Sequence, residues 1–256
     1  MKNRLLLFGI FITNILVAQT VDVRSTVYQW NDLDAVKETG RERRQILEGT
    51  TTDLSHLSIH ASTLEPGKAP HAPHSHADEE ELIIVTAGKL KVTIDAQSKV
   101  IGPGSVAVAL PGDIHGFENG GDVPVTYYIF RYKSKLPIDL DRSKQAGGSF
   151  IVDWNDIVFT PHDKGGIRHF FEKPTAMFSR FEMHVTTLNA GLKSHDPHTH
   201  RAEEVILLMK GNAEMQIAGN HLPASPGALI FLGSEIPHAI RNTGEEPCVY
   251  FAFQWQ

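Results

Sequence analysis

Apolar and polar residues alternate in short runs along most of the chain. Leu90, Val92 and Ile94 alternate with Lys89, Lys91 and Thr93, and Ala213, Met215 and Ile217 alternate with Asn212, Glu214 and Gln216. Val106, Val108 and Leu110 repeat the pattern, as do Leu229 and Phe231. A period of two predicts β-strands with one face buried. Turn-forming clusters separate the runs, at Ala96-Gln97, Gly102-Pro103-Gly104, Pro111-Gly112-Asp113 and Asn119-Gly120-Gly121. Many short strands with frequent turns predict an all-β fold of sandwiches or barrels. No long amphipathic helix is visible. Asn31 to Arg44 is the one stretch compatible with a short helix.

The first twenty residues follow a different pattern. Met1-Lys2-Asn3-Arg4 is a short basic start, Leu5 to Leu16 is almost wholly apolar, and Val17-Ala18-Gln19-Thr20 ends in small and polar residues. This layout predicts a secretory signal peptide over residues 1–20, cleaved after Ala18, and an exported protein, periplasmic or secreted. The apolar run is shorter than the roughly 20 residues a membrane span needs, so no membrane association is expected once the signal is removed.

The remainder is one unit written twice. Trp30-Asn31-Asp32-Leu33 recurs as Trp154-Asn155-Asp156-Ile157, at an offset of 124. Arg44, Glu48, His60 and Gly67 fall on Arg168, Glu172, His184 and Gly191 at the same offset. His71-Ala72-Pro73-His74-Ser75-His76 then matches His195-Asp196-Pro197-His198-Thr199-His200. One residue drops out, and at an offset of 123 Glu81, Gly88, His115, Asn119, Tyr127 and Phe130 fall on Glu204, Gly211, His238, Asn242, Tyr250 and Phe253. Two homologous domains are expected, residues 21–145 and 146–256. The polar stretch Asp139 to Gly148 forms the junction.

Composition adds three constraints. The formal charge of -6, with 24 basic and 30 acidic residues, excludes a nucleic-acid partner that would need clustered Lys and Arg. Cys248 is the single cysteine, so no intramolecular disulfide forms; its apolar surroundings predict a buried, inert thiol. Histidine, with 14 residues in tight clusters, points to metal or acid–base chemistry.

The repeated histidines are spaced as ligands. On a strand, residues i and i+2 share a face, so His74 and His76 project together, as do His198 and His200. Glu81 opens the returning strand on the same face as Ile83 and Val85, and Glu204 does so with Ile206 and Leu208. His115 and His238, farther along, supply a fourth group. Three neutral imidazoles and one carboxylate suit Mn, Fe, Ni, Cu or Zn in a reactive site that also holds water or substrate. Among the consecutive Glu79, Glu80 and Glu81, alternation and the match of Glu204 before Gly211 select Glu81.

These residues carry a resemblance. Gly67 to Gly88 resembles the first motif of the cupin superfamily: a Gly, His-x-His, a Glu after three or four residues, and a Gly after six more. Gly191, His198-x-His200, Glu204 and Gly211 repeat it. Gly104 to Asn119 and Gly227 to Asn242 are similar to the second motif, with Gly233 where a Pro is usual. The resemblance spans nearly the whole mature chain and implies a bicupin, two tandem jelly-roll barrels. It implies metal held by His74, His76, Glu81 and His115 in one barrel and by His198, His200, Glu204 and His238 in the other. One divalent ion per barrel, Mn or Fe favoured, is expected.

Other repeated residues are read more plainly. Arg44 and Arg168 are expected to pair with a carboxylate such as Glu48 or Glu172 at the barrel rim, with an anion clamp as the alternative for both. His60 and His184 read as ordinary strand residues, and Trp30 and Trp154 as core or interdomain anchors. His71 and His195 read equally as proton shuttles or as solvated loop residues. Arg131 faces Gln254 in the repeat, and a charge in one barrel alone marks it as a candidate functional residue. Asp196 and Arg201, standing where the first unit has Ala72 and Ala77, favour the C-terminal site as the essential one.

The bicupins most similar in keeping two intact sites are oxalate decarboxylases and quercetin-type dioxygenases. The favoured expectation is therefore a metal-dependent enzyme acting on a small oxygen-rich or anionic metabolite. A sugar-acid isomerase or lyase, a ureidoglycine-aminohydrolase-like hydrolase and a non-catalytic ligand-binding bicupin are the alternatives. The expected partner is a small-molecule substrate, and a homo-oligomer is compatible with the sequence.

Overall fold

A computed structural model describes residues 21–256, so the expected signal peptide lies outside the described residues. The fold is all-β, two cupin-type jelly-roll barrels. Each pairs a seven-stranded sheet with a three-stranded one. In the first barrel the large sheet runs, edge to edge, Ala35–Glu38, Arg41–Gly49, Leu54–Leu64, Val125–Ser134, Glu80–Ala87, Val106–Ala109 and Phe150–Val152. Its small sheet holds Gln97–Ile101, Leu90–Ile94 and His115–Asn119. The second barrel repeats the order with Thr160–His162, Gly165–Lys173, Phe181–Leu188, Cys248–Trp255, Glu203–Lys210, Leu229–Leu232 and Thr26–Tyr28. No helix among the described residues is long and apolar enough to cross a membrane.

The last strand named in each sheet comes from the other repeat. Thr26–Tyr28 pairs with Leu229–Phe231, and Phe150–Val152 pairs with Val106–Val108. The two units thus exchange edge strands, which covers an edge that would otherwise present unpaired backbone groups. Trp30 and Trp154, just after these strands, lie against Gly227 and Gly104 of the opposite barrels. They anchor the exchanged segments.

Asn31 to Arg44 is not a helix. A single 3-10 turn, Trp30–Asp32, leads into the hairpin Ala35–Glu38 and Arg41–Gly49. The stretch is rich in helix-compatible residues, but Gly40 takes φ +75° and reverses the chain. The strand Arg41–Gly49 then gains a ladder with Leu54–Leu64, and this tertiary pairing overrides local propensity. The one α-helix among the described residues, Leu140–Gln145, lies between Asp139 and Gly148, with the Asp139 carboxylate accepting from the Arg142 N–H as its cap.

Both faces of each central strand are buried, and this decides the register at the site. Ile83 and Val85 pack inside the first barrel with Tyr127, Ile129 and Phe117. Leu82 and Ile84, on the other face, join a core between the barrels that contains Phe130, Phe178, Phe181, Phe253 and Trp255. Phe130 and Phe253, equivalent in the repeat, meet edge to face with centroids 5.1 Å apart. Each such buried ring contributes about 1.5–3 kcal/mol, so the barrels are held together as firmly as a domain interior.

Candidate metal centres

Each His-x-His segment is tied to the strand carrying the distant histidine by a two-residue bridge. The His74 N–H donates to the His115 carbonyl at 2.9 Å, and the His115 N–H returns the bond at 2.8 Å. His198 and His238 exchange the equivalent bonds at 3.2 and 3.0 Å. The backbone thereby brings residues 41 and 40 positions apart onto one point of each barrel wall.

In the N-terminal barrel His74, His76, Glu81 and His115 place one ligand-type atom each within 4.8 Å of all the others. Glu81 Oε2 lies 3.3 Å from His76 Nε2 and 3.8 Å from His115 Nε2. In the C-terminal barrel His198, His200 and His238 cluster within the same limit. Glu204 Oε2 lies 3.2 Å from Nε2 of both His200 and His238. Glu81 faces into its barrel, whereas Glu80 points the other way, fully buried between the barrels.

The ring nitrogens are oriented for a cation. Nδ1 of His115, His200 and His238 each meets a backbone carbonyl, of Asp113, Ala202 and Ile236, at 2.8–3.1 Å. A carbonyl can only accept, so Nδ1 carries the proton and Nε2 keeps its lone pair aimed at the carboxylate. His115 Nε2 and His238 Nε2 are buried without a hydrogen-bond partner. Two acceptors facing each other at 3.2 Å with nothing donated between them fit a shared divalent ion. Burial raises the Glu81 and Glu204 carboxyls, but when the flanking imidazoles are protonated they outweigh it and bring both down to about 2. Burial and the neighbouring His71, His115 and His76 push His74 down to about 4, so it is a neutral imidazole at pH 7.

A cavity of about 300 Å³ opens directly over the C-terminal cluster, reaching His198, His238 and Glu204. Its wall holds Lys164, His184, His195, Thr186, Tyr250 and Gln254. His195 stands edge-on to His198 with centroids 4.2 Å apart, and His71 holds the same position over His74 at 4.3 Å. Lys164, which the sequence did not single out, reaches the Ser194 carbonyl at 2.8 Å along the wall. His184 is more than a strand residue, since its face of Phe181–Leu188 is the barrel interior. Its counterpart His60 lies inside the first barrel, where burial and the Arg43 charge push it down to about 3.

Three expectations are corrected. Arg168 does not pair with Glu172 and does not line the C-terminal cavity; its guanidinium stacks on Trp154 and Phe159, at 4.4 and 4.7 Å from the ring centres. Glu172 pairs with Arg180 instead, at 2.7 Å. Arg44 likewise stacks on Trp30 and bonds Glu42, because it stands opposite Ala61 on the face turned away from the barrel interior. Asp196 and Arg201 do not furnish the C-terminal cavity. Asp196 is 92% exposed beside Lys193, and Arg201 grips Asp53 of the other repeat through two bonds at 2.9 and 2.6 Å. Arg131 does lie inside its barrel, next to Glu81 in the ladder, with Nε 3.1 Å from Glu79.

One pair of functional-looking carboxylates is structural. Glu203 accepts from Thr51 Oγ1, the Thr52 and Asp53 N–H groups and the Trp255 indole, at 2.6–3.2 Å. Glu80, its repeat partner, accepts from the Met177 N–H at 2.9 Å, and burial pushes its carboxyl up to about 7. Each repeat thus ties down a loop of the other from the residue before its candidate metal carboxylate.

The family model for the cupin domain matches residues 61–130 and 184–253, the two segments that carry these clusters. The chain belongs to the cupin family. No curated protein sequence matches this cupin significantly. In three dimensions the cupin is similar to AerE from Microcystis aeruginosa, with TM-score 0.67 and 15% identity over 88% of this chain and 97% of that one. It is similar to protein Ylba from E. coli, with TM-score 0.70 and 15% identity over 94% and 95%. It is also similar to the formate complex of oxalate decarboxylase from Lactobacillus farciminis, with TM-score 0.69 and 15% identity over 91% and 87%. At these identities the likeness establishes the two-barrel fold, and chemistry must be argued from the site.

Proposed function

We propose that this cupin is an exported, metal-dependent enzyme of the decarboxylase or dioxygenase type, acting on a small oxygen-rich anion in the C-terminal barrel. The observation that carries the reading is the cavity of about 300 Å³ lying on His198, His238 and Glu204. That is space for a small metabolite in direct contact with the ligand set. His198, His200, Glu204 and His238 would hold the ion, with Mn or Fe favoured. When bound, a divalent ion supplies Lewis-acid charge that holds substrate oxygens and stabilises negative charge as it develops.

The remaining residues divide the other tasks. Lys164 supplies a cation on the cavity wall for a carboxylate or enediolate. His195, at the mouth, and His184, whose Nδ1 lies 3.2 Å from Glu182, are the groups able to give or take a proton beside the substrate. Gln254 and Tyr250 offer neutral hydrogen bonds that orient it. The likeness to an oxalate decarboxylase supports a short dicarboxylate as the first compound to test.

The test is turnover of oxalate, followed as formate and CO₂, and of ascorbate as an enediol, followed as O₂ uptake. Both are run with metal-stripped and Mn- or Fe-loaded protein. Metal-dependent turnover of either compound that is lost in His238→Ala is the expected result. Turnover untouched by metal removal, or no turnover of either compound, would overturn the reading.

A further inference from the structure

The two barrel interiors are built on one backbone plan but carry different charges. In the first barrel the ladder sets Arg41, Arg43 and Gln45 opposite Leu64, Ser62 and His60, and Arg131 opposite Ser58 and Glu81. Paired residues share a face, so all of these look the same way as Glu81, into the barrel. At the corresponding ladder positions the second barrel has Gly165 opposite Leu188, Ile167 opposite Thr186, and Gln254 opposite Glu182 and Glu204. Three guanidinium groups on the inward face of one barrel are thus replaced by glycine, isoleucine and glutamine in the other.

Only one of the three charges meets a carboxylate. Arg131 is paired with Glu79. Among the described residues Arg41 and Arg43 have no carboxylate partner; their contacts are to Ser62 Oγ and Gln45 Oε1. Arg41 Nε and the hydroxyl of the fully buried Tyr127 lack any hydrogen-bond partner. Burial, then the charges of Arg41 and Arg131, lowers the pKa of Arg43, which places the three within electrostatic reach of one another. Guanidinium groups held together against their repulsion, with buried donors unused, are a preformed receptor for anionic oxygens.

We propose that the N-terminal barrel is a second ligand site, binding a small polycarboxylate through Arg41, Arg43 and Arg131 beside the His74, His76, Glu81 and His115 cluster. The spacing favours a polycarboxylate over a compact phosphate. Ser62 and Ser58, the partners of Arg43 and Arg131, are four residues apart on one strand, or about 13 Å along the wall. Guanidinium groups entering from backbone positions that far apart approach a ligand from different sides, which suits separate carboxylates on a short carbon chain better than one compact phosphate. The site stands independently of the reaction proposed for the C-terminal cavity, and gives the two barrels different ligands.

The experiment is calorimetric titration of the full-length mature protein with tricarballylate, with propionate and inorganic phosphate as comparison anions. It is run after metal stripping and again after Mn loading, so that chelation by metal is separated from binding by arginine. Arg43→Ile and Arg131→Gln install the residues that the same fold carries in the other barrel. Lys89→Gln removes an exposed charge elsewhere. One tricarballylate per chain is expected in both metal states, weakened about tenfold or more in each arginine variant. Lys89→Gln should bind as the wild type does. In wild-type protein tricarballylate should also slow phenylglyoxal labelling of Arg41, Arg43 and Arg131, a readout that needs no variant. No saturable binding by stripped protein, unchanged affinity in both arginine variants, phosphate binding more tightly than tricarballylate, or unprotected arginines would each overturn the proposal.

Discussion

Replacing Glu203 by Ala should be far more damaging than its position beside a candidate metal ligand suggests. Its carboxylate is 1% exposed and accepts four hydrogen bonds, from Thr51 Oγ1 at 2.6 Å, Thr52 N–H at 2.8 Å, and Asp53 N–H and Trp255 Nε1–H at 3.2 Å. Removing it leaves these donors without the acceptor between the barrels. A buried unsatisfied donor costs about 1–3 kcal/mol, and partial relaxation keeps the total on the order of 4 kcal/mol. At about 2–4 °C per kcal/mol for a chain of this size, the melting temperature should fall by roughly 8–16 °C. The assay is thermal unfolding of metal-stripped protein, so that any change at Glu204 does not enter. Glu80→Ala, which loses one such bond at 2.9 Å, should fall by less than half as much. A fall of under about 2 °C for Glu203→Ala would refute the clamp, as would a larger effect at Glu80.

Three further outcomes test the packing and the corrected assignments. Gly104 has φ +85° and a Cβ there would meet Trp154 at 2.4 Å, so Gly104→Ala should cost about 2 kcal/mol or more in denaturant unfolding. Gly112→Ala, at φ +91° with open space around it, should cost about 1 kcal/mol, the backbone strain alone. Cys248 is buried and its thiol pushed up to about 11. Because only the thiolate reacts, native protein at pH 8 should resist a maleimide that labels the unfolded chain readily, and rapid native labelling would contradict the burial. Arg168→Ala should lower stability by about 1 kcal/mol through lost stacking while leaving substrate KM unchanged; a raised KM would restore the anion-clamp reading.

Much of the fold is legible in the sequence because the repeat and the period-two pattern are local or self-referential signals. Alternation distinguishes Glu81 from Glu80 without coordinates: Ile83 and Val85 line a barrel while Leu82 and Ile84 line the interface. The same signal is blind to the fact that both faces are buried, so Glu80 and Glu203 pass for surface acids. The exchange of Thr26–Tyr28 and Phe150–Val152 between barrels depends on long-range pairing that no window of sequence carries. Asn31 to Arg44 misleads because its residues tolerate a helix, while Gly40 and the ladder with Leu54–Leu64 decide otherwise. Proximity in sequence pairs Arg44 with Glu48 and Arg168 with Glu172. Strand alternation puts them against Trp30 and Trp154, and the arginines at 41 and 43 turn inward instead.

Two independent metal centres, one per barrel, are the central claim, and metal content per chain tests it most directly. Stripped protein is reloaded with Mn or Fe, freed of excess ion and assayed by elemental analysis alongside His115→Ala, His238→Ala and the double variant. The account predicts about two ions per chain in the wild type, about one in each single variant and none in the double, because the ligand sets share no residue. A wild type that retains no ion, or a single variant that empties both barrels, would contradict it.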